Sequence, residues 1–179
     1  MNREVFINLE KEIFKGNVLD IGFSNHGIIY NICKQYIDDS KSVEYIEGKW
    51  DKIKIDRGSY DTCVLFLTLS DIKFTQSKKN LIKDVYKFLK SDGVLYIWDI
   101  DKGFAKTFNS RINIMLPDKS TKKINLRDLN LFKNSSKENT IKILQPYFEI
   151  MTMKNSDNIY YMICKRREKS KDESIISGD

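Results

Sequence analysis

The sequence has few of the residues that build disulfides and metal sites. It contains three cysteines and one histidine in 179 residues. Cys33, Cys63 and Cys164 lie far apart, each in an apolar stretch, so we expect reduced thiols in the core. No CxxC pair or Cys/His cluster is present, which argues against a metal site. Reduced thiols also favour a cytoplasmic location.

Long apolar runs are lacking as well. The longest, Cys63 to Leu69, is far shorter than the roughly 20 residues that a membrane helix needs. Charges at Arg3, Glu4 and Glu10 exclude the apolar core of a secretion signal near the N-terminus. We therefore expect no membrane contact. The final residues, 166–179, are rich in charge and are predicted to be disordered.

The remaining composition is that of a folded domain. Hydrophobic residues make up 41% of the chain and aromatic residues 12%, and the length fits a single core. The net charge of +6 comes from 31 Lys and Arg residues interspersed with 25 Asp and Glu residues. We interpret this pattern as a solvated surface rather than a nucleic-acid interface. The feature that favours nucleic acid is a basic stretch with Arg111, Lys119, Lys122, Lys123 and Arg127.

Apolar spacing predicts an alternation of strands and helices in the first part of the chain. Val5, Phe6, Leu9, Ile13 and Phe14 recur at helical spacing, which predicts an N-terminal helix. The strands predicted after it are 17–21, 43–47, 60–69 and 94–100, and the helices are 27–36 and 81–89, the latter ending at Ser91 to Gly93. Such alternation predicts an α/β fold with a parallel sheet covered by helices.

The second part of the chain has a different pattern. Two runs between residues 111 and 127 flank Pro117 to Ser120, which predicts a hairpin turn. Residues 136–144 are predicted to form a helix that Pro146 ends. Strands at 148–153 and 159–164 are separated by residues 155–158, whose composition favours an antiparallel hairpin.

The carboxyl ends of the predicted strands carry residues suited to a polar ligand. In an open parallel sheet, ligands bind at this edge. A glycine turn before a helix lets a ligand approach the backbone closely. Asp20, Gly22 and Phe23 follow the first strand of the predicted sheet, Glu47 ends the next, and Thr68 lies near the end of the third.

Three segments resemble motifs of the class I S-adenosylmethionine (SAM) methyltransferases. Val18 to Gly22 is similar to the family's first motif, Gly58 to Leu65 to its fourth, and Leu89 to Ile97 to the turn and strand that follow. The last helix and hairpin are similar to the family's C-terminal end, and the order is collinear over about residues 16–165. The resemblance implies a Rossmann-like, mostly parallel sheet with helices on both faces and a C-terminal antiparallel hairpin. It also implies one domain, residues 1–165, with a candidate hairpin insertion at 104–131.

The resemblance implies a turn that holds the methionine part of SAM. Asp20 would contact the amino group, and Gly22, Phe23 and Gly27 would form the turn. In the family, glycines alternate along this turn. Here Phe23 and Ser24 place side chains where the backbone should approach the ligand.

The same resemblance implies contacts to the rest of the cofactor. Glu47 would accept hydrogen bonds from the two ribose hydroxyls, with Glu44 as the alternative, and Asp51 would face the adenine amino group. The backbone near Leu67 and Thr68 would line the sulfonium. Too few residues follow Glu47 for the helix and strand that normally intervene, so part of the sheet edge is predicted to be missing.

These observations leave three functions open. The first is a SAM-dependent methyltransferase for a small-molecule acceptor, with residues 103–131 supplying the acceptor site. The second is a methyltransferase-like binding or assembly module without catalysis, and the third is modification of nucleic acid. No catalytic residue is assigned, and Ser70 and Asp71 are the nearest polar candidates. The hairpin either caps the site or pairs with a second copy in a homodimer.

Overall fold

The structure is a computed structural model that describes residues 3–23, 27–35, 42–47 and 55–168. Twelve helices and strands are present in the described residues. In chain order they are β1 (Arg3–Asn8), β2 (Val18–Gly22), α1 (Ile28–Lys34), β3 (Val43–Glu47), β4 (Tyr60–Phe66), α2 (Thr75–Phe88), β5 (Leu89–Ile100), β6 (Phe108–Met115), β7 (Thr121–Asp128), α3 (Lys137–Leu144), β8 (Phe148–Ser156) and β9 (Ile159–Arg166).

The main sheet is mixed and has six strands in the order β3-β2-β4-β5-β9-β8. The first four are parallel to one another, while β9 runs antiparallel to both β5 and β8. Asp157 and Asn158 join the last two strands with φ values of 55° and 60°, as in the two-residue hairpin turns that match strand twist. The predicted parallel strands and the C-terminal hairpin are thus both present.

The two faces of the main sheet are covered differently. On one face, Leu81 and Val85 of α2 and Leu144 of α3 pack into one apolar core. On the other face, α1 shares a second core with a three-stranded sheet of order β1-β6-β7. β6 and β7 form the predicted hairpin around residues 117–120. The expectation of helices on both faces is therefore only partly confirmed, because the small sheet lies beside α1.

The predicted N-terminal helix is wrong. This segment forms β1, which pairs in parallel with β6. The strand buries Val5 and Ile7, whereas Phe6, which the helix would have buried, is 73% exposed. The alternating β-branched residues Val5 and Ile7 also fit the two-residue period of a strand. Pairing with β6 favours the strand over the helix.

Several other boundaries differ from the predictions; α2, for example, begins at Thr75 rather than at Leu81. α2 ends at Phe88 and β5 follows at once, so the turn predicted at Ser91 to Gly93 lies inside β5. The strand predicted to reach Leu69 ends at Phe66, because Leu67 has a φ of 57°, outside the β region. Arg166, predicted to start the tail, belongs to β9, and residues 169–179 lie outside the described residues.

Two expectations about the core and the membrane can be compared with the structure. All three cysteines are buried and free, as predicted. Burial raises the pKa of Cys33 and of Cys164 to about 12, so these thiols stay protonated. Among the described helices, none combines the length and apolarity that would carry it across a bilayer.

Candidate cofactor site

The carboxyl ends of β2, β3 and β4 meet at one edge of the main sheet. Gly22 at the end of β2 pairs with Glu47 at the end of β3. The hydroxyl of Thr68 donates a hydrogen bond to the carbonyl of Ile21 at 2.7 Å, which ties the loop after β4 to the end of β2. The structure thus brings Gly22, Glu47 and Thr68 together, as the sequence predicts.

Asp20 lies within β2, one step below this edge. It pairs with Tyr45 of β3 and Val64 of β4. Burial raises its pKa to about 7. Burial raises the pKa of the Cys33 thiol on α1, and the charge of Asp20 raises it further. The side chain of Asp20 alternates with those of Leu19 and Ile21, which pack in the α2-side core, so Asp20 lies on the α1 side of the sheet. There a partly protonated carboxyl group can both donate and accept hydrogen bonds.

The turn after β2 is described only at its two ends. Phe23 is half-buried and packs against the core on the α2 side. Gly27 precedes α1 with a φ of 61°, in the left-handed region that favours glycine. A side chain at Gly27 would meet the ammonium group of Lys122 on β7, so the small sheet reaches this turn. Ser24, Asn25 and His26 lie outside the described residues.

The structure separates the two candidate ribose carboxylates. Glu47 is exposed at the carboxyl end of β3. Glu44 lies near the start of the same strand and accepts a hydrogen bond from the Tyr60 hydroxyl. Since ligands bind at the carboxyl ends of parallel strands, the geometry favours Glu47. Asp51, the predicted adenine contact, lies outside the described residues.

Tyr45 is a candidate site residue that sequence reasoning missed. Its hydroxyl is buried and has no hydrogen-bond partner among the described residues. It lies next to Gly22, since a Cβ placed there would be 3.6 Å from the hydroxyl oxygen. Burial, followed by the charges of Glu47 and Asp20, raises the pKa of Tyr45 to about 12. No sequence signal separates this tyrosine from an ordinary strand residue, because its position depends on strand register.

The loop after β4 is held in place by several hydrogen bonds. Leu67 is in the left-handed region, and its N–H donates to the Trp98 carbonyl at 2.7 Å. The N–H of Ser70 donates to the fully buried carboxylate of Asp99 at 3.0 Å. Burial raises the pKa of Asp99 to about 6. The hydrogen bond from Thr68 to the end of β2 holds this loop at the same sheet edge as Gly22, so the loop is part of the candidate site.

A cleft opens beside this loop. It has a volume of about 160 Å³ and is lined by Phe23, Phe66, Leu67, Asp71 and residues 124–126 of β7. Asp71 and Asn125 are its polar residues. Ser70, the other polar residue considered from the sequence, is buried and donates to the Leu67 carbonyl. The predicted acceptor segment, 103–131, therefore contributes one wall of this cleft.

The described part of the chain has no clustered metal ligands. No group of three or more His, Cys, Asp or Glu side chains is placed to hold a metal ion there. The candidate site instead offers a glycine turn, an exposed carboxylate, a buried hydroxyl and an apolar cleft.

Comparison with known proteins gives a fold but no sequence relative. No family model matches the sequence, and no curated protein matches it. A SAM-dependent methyltransferase structure from Clostridium acetobutylicum is similar, with a TM-score of 0.58, 13% identity, and coverage of 86% of this chain and 85% of that one. The fold is shared with methyltransferase structures.

Two further similar structures contain bound ligands. The N-methyltransferase NodS from Bradyrhizobium japonicum, in complex with S-adenosylhomocysteine, has a TM-score of 0.54 and 12% identity, with coverage of 86% of this chain and 79% of that one. The 1,6-didemethyltoxoflavin-N1-methyltransferase from Burkholderia thailandensis has a TM-score of 0.57 and 9% identity, with coverage of 85% and 71%. It holds both 1,6-didemethyltoxoflavin and S-adenosylhomocysteine.

Proposed function

We propose that the chain is a SAM-dependent methyltransferase that acts on a small-molecule acceptor. The observation that carries the proposal is the convergence of Gly22, Glu47 and the Leu67–Thr68 loop at the carboxyl edge of a methyltransferase-like sheet. Two similar structures contain S-adenosylhomocysteine, and one of them also holds a small-molecule acceptor.

The described residues fit the polar parts of SAM. The exposed carboxylate of Glu47 would accept hydrogen bonds from the ribose hydroxyls, and Asp20 would contact the amino group near the turn. The buried Tyr45 hydroxyl lacks a partner among the described residues. Since a buried polar group without a partner costs about 1 to 3 kcal/mol, a ligand oxygen or nitrogen that reaches Tyr45 would bind favourably.

The chain's own residues would align the acceptor and remove its proton. When bound, SAM supplies an electrophilic methyl group on a positively charged sulfur. Phe66 and Leu67 would exclude water from the cleft and hold the acceptor against this group. Asp71, which lines the cleft, would accept the proton that the acceptor loses on methylation.

Calorimetric titration with S-adenosylhomocysteine tests the proposed site. We expect Glu47→Gln to weaken binding by about 10-fold or more, because it removes a charge-assisted hydrogen bond. Glu44→Gln is the matched control on the same strand, and it should leave the affinity unchanged. Equal weakening by both variants, or by neither, would contradict the assignment of Glu47.

A second candidate is a methyltransferase-like binding module without catalysis. The observation in its favour is the size of the cleft, about 160 Å³, compared with roughly 300 to 1,000 Å³ for typical small-molecule sites. For the enzyme, SAM at about 100 times its dissociation constant should add about 2.7 kcal/mol of stability. This raises the melting temperature by roughly 5 to 10 °C. No rise with either SAM or S-adenosylhomocysteine at millimolar concentration would favour the inactive module.

A further inference from the structure

The three-stranded sheet has an outer face that points away from the main sheet. Side chains alternate along each strand, and the inner positions include Val5, Ile7, Ile112 and Ile114, which are buried. The opposite positions form what we call the outer face. Its residues are Glu4, Phe6 and Asn8 of β1, Asn109, Arg111, Asn113 and Met115 of β6, and Thr121, Lys123, Asn125 and Arg127 of β7.

Strand register intersperses the cations of this face with asparagines. Arg111 lies between Glu4 and Asn125, Asn113 lies between Phe6 and Lys123, and Asn109 pairs with Arg127. The outer-face residues of β1 and those of β7 lie more than a hundred positions apart in the sequence, so the sequence order does not reveal that they share a surface. Three of the five cations in the basic stretch, Arg111, Lys123 and Arg127, thus share one surface.

The outer face carries an excess of positive charge. Its described residues include three cations and one carboxylate, Glu4. Glu4 forms an ion pair with Arg111 at 3.6 Å. Both of these side chains are about half exposed, so the pair is weak in water. Lys123 and Arg127 are exposed as well. The charge fits a polyanion that follows the sheet.

An aromatic ring and a row of amides accompany these cations. Phe6 is 73% exposed, although large apolar side chains usually lie on the buried face of a strand. Its neighbour Asn113 is buried, and the amide nitrogen has no hydrogen-bond partner among the described residues. A flat aromatic face stacks on unpaired bases, and Asn amides form hydrogen bonds with base edges.

We propose that the outer face binds single-stranded nucleic acid. Arg111, Lys123 and Arg127 contact phosphates, and Phe6 stacks on one base. A duplex would keep its bases paired and stacked, and it would leave Phe6 without a partner. The inner positions Ile124 and Leu126 of the same strand β7 line the candidate cleft. Asn125 of the outer face also borders this cleft, but Phe6 and the three cations do not line it, so we expect nucleic-acid binding to be independent of SAM.

Fluorescence anisotropy with a labelled oligothymidylate and a labelled oligouridylate of about 12 nucleotides tests the proposal. Three phosphate contacts predict a slope of about −2 in log affinity against log salt, which is an affinity loss of roughly 20-fold between 50 and 200 mM salt. No binding at low salt to either oligonucleotide would overturn the proposal, whatever the outcome of the SAM titrations.

Matched variants separate the outer face from general basicity. The triple variant Arg111→Gln, Lys123→Gln, Arg127→Gln should flatten the salt dependence and weaken binding. The control triple Lys79→Gln, Lys83→Gln, Lys142→Gln removes the same charge from exposed positions on α2 and α3 and should retain the slope. Equal effects of both triples would overturn the proposal. Melting curves verify that each variant is folded.

The aromatic contact has its own pair of variants. Phe6→Ala should weaken binding by about fivefold or more, the lower range for loss of base stacking. Phe104→Ala removes a ring that is 62% exposed outside this face and should leave the affinity unchanged. An anionic lipid surface is the competing ligand. If the outer-face triple weakens binding to vesicles of phosphatidylserine and phosphatidylcholine but not to the oligonucleotides, the proposal is wrong.

Discussion

Removing the hydroxyl of Tyr45 should stabilise the free protein. Its hydroxyl is buried without a hydrogen-bond partner among the described residues, and such a group costs about 1 to 3 kcal/mol. Tyr45→Phe should therefore raise the melting temperature by about 2 to 12 °C in the absence of ligand. If the hydroxyl binds SAM, the variant should also show a smaller rise in melting temperature on addition of SAM.

The matched control for this variant is Tyr60→Phe. The Tyr60 hydroxyl donates a hydrogen bond to Glu44, so its loss should lower stability by about 1 kcal/mol. Differential scanning calorimetry of both variants provides the comparison. A decrease of similar size for Tyr45→Phe would show that its hydroxyl is already satisfied in the free protein.

Asp20 should make the stability of the protein depend on pH. Burial raises its pKa in the folded state from 3.8 to about 7, so between these values the folded state binds a proton that the unfolded state has lost. The Asp20 contribution is fully present below about pH 4 and is lost as pH rises through 7. Urea unfolding at pH 5 and pH 8 measures how much stability each protein loses between these two pH values. The Asp20→Asn variant should lose about 2 to 3 kcal/mol less than the wild type. If the variant and the wild type lose the same amount of stability between the two pH values, the pKa of Asp20 is not raised in the folded state.

At the scale of elements, the junction of α2 and β5 depends on a glycine. A Cβ on Gly93 would lie 2.9 Å from the Cβ of Leu89 and 3.0 Å from the Lys90 carbonyl oxygen. Backbone atoms cannot move aside as a flexible side chain can, so Gly93→Ala should destabilise the fold by about 1 to 3 kcal/mol. Gly103→Ala has no atom within 4 Å of the added Cβ and should leave the midpoint of urea unfolding nearly unchanged.

Elements with a strong local signal were predictable from the sequence. The helix predicted over residues 136–144 is α3, Lys137–Leu144, and the hydroxyl of Ser136 accepts a hydrogen bond from the N–H of Asn139 at its start. β1 was not predictable, because its apolar residues fit both a helical and a strand period and its partner, β6, lies about a hundred residues away. Among the site residues, Gly22 and Glu47 follow from strand order, whereas Tyr45 and Asp99 depend on register and burial that no local pattern contains.

At the scale of the whole molecule, the small sheet is joined to the main sheet by buried charges. Lys102, just after β5, is fully buried. Its ammonium group donates to the carbonyl oxygens of Asn130 and Lys133 at 2.6 and 3.0 Å. Asp128, at the end of β7, lies 3.7 Å from Lys102 and 2.8 Å from Lys133. These contacts fix the loop after β7 to the end of β5, so the two sheets should unfold together.

Lys102→Met should disrupt this connection. The variant keeps most of the side-chain volume but leaves the carbonyl oxygens of Asn130 and Lys133 without this donor, while Asp128 keeps its ion pair with Lys133. The lost hydrogen bonds should cost about 1 to 3 kcal/mol. We expect amide hydrogen exchange in β6 and β7 to become faster than in β4 and β5, because the small sheet would then open separately. Lys106→Met, at an exposed position in the same segment, should change neither stability nor exchange. Uniform acceleration in all four strands would show that the sheets remain one cooperative unit without the Lys102 contacts.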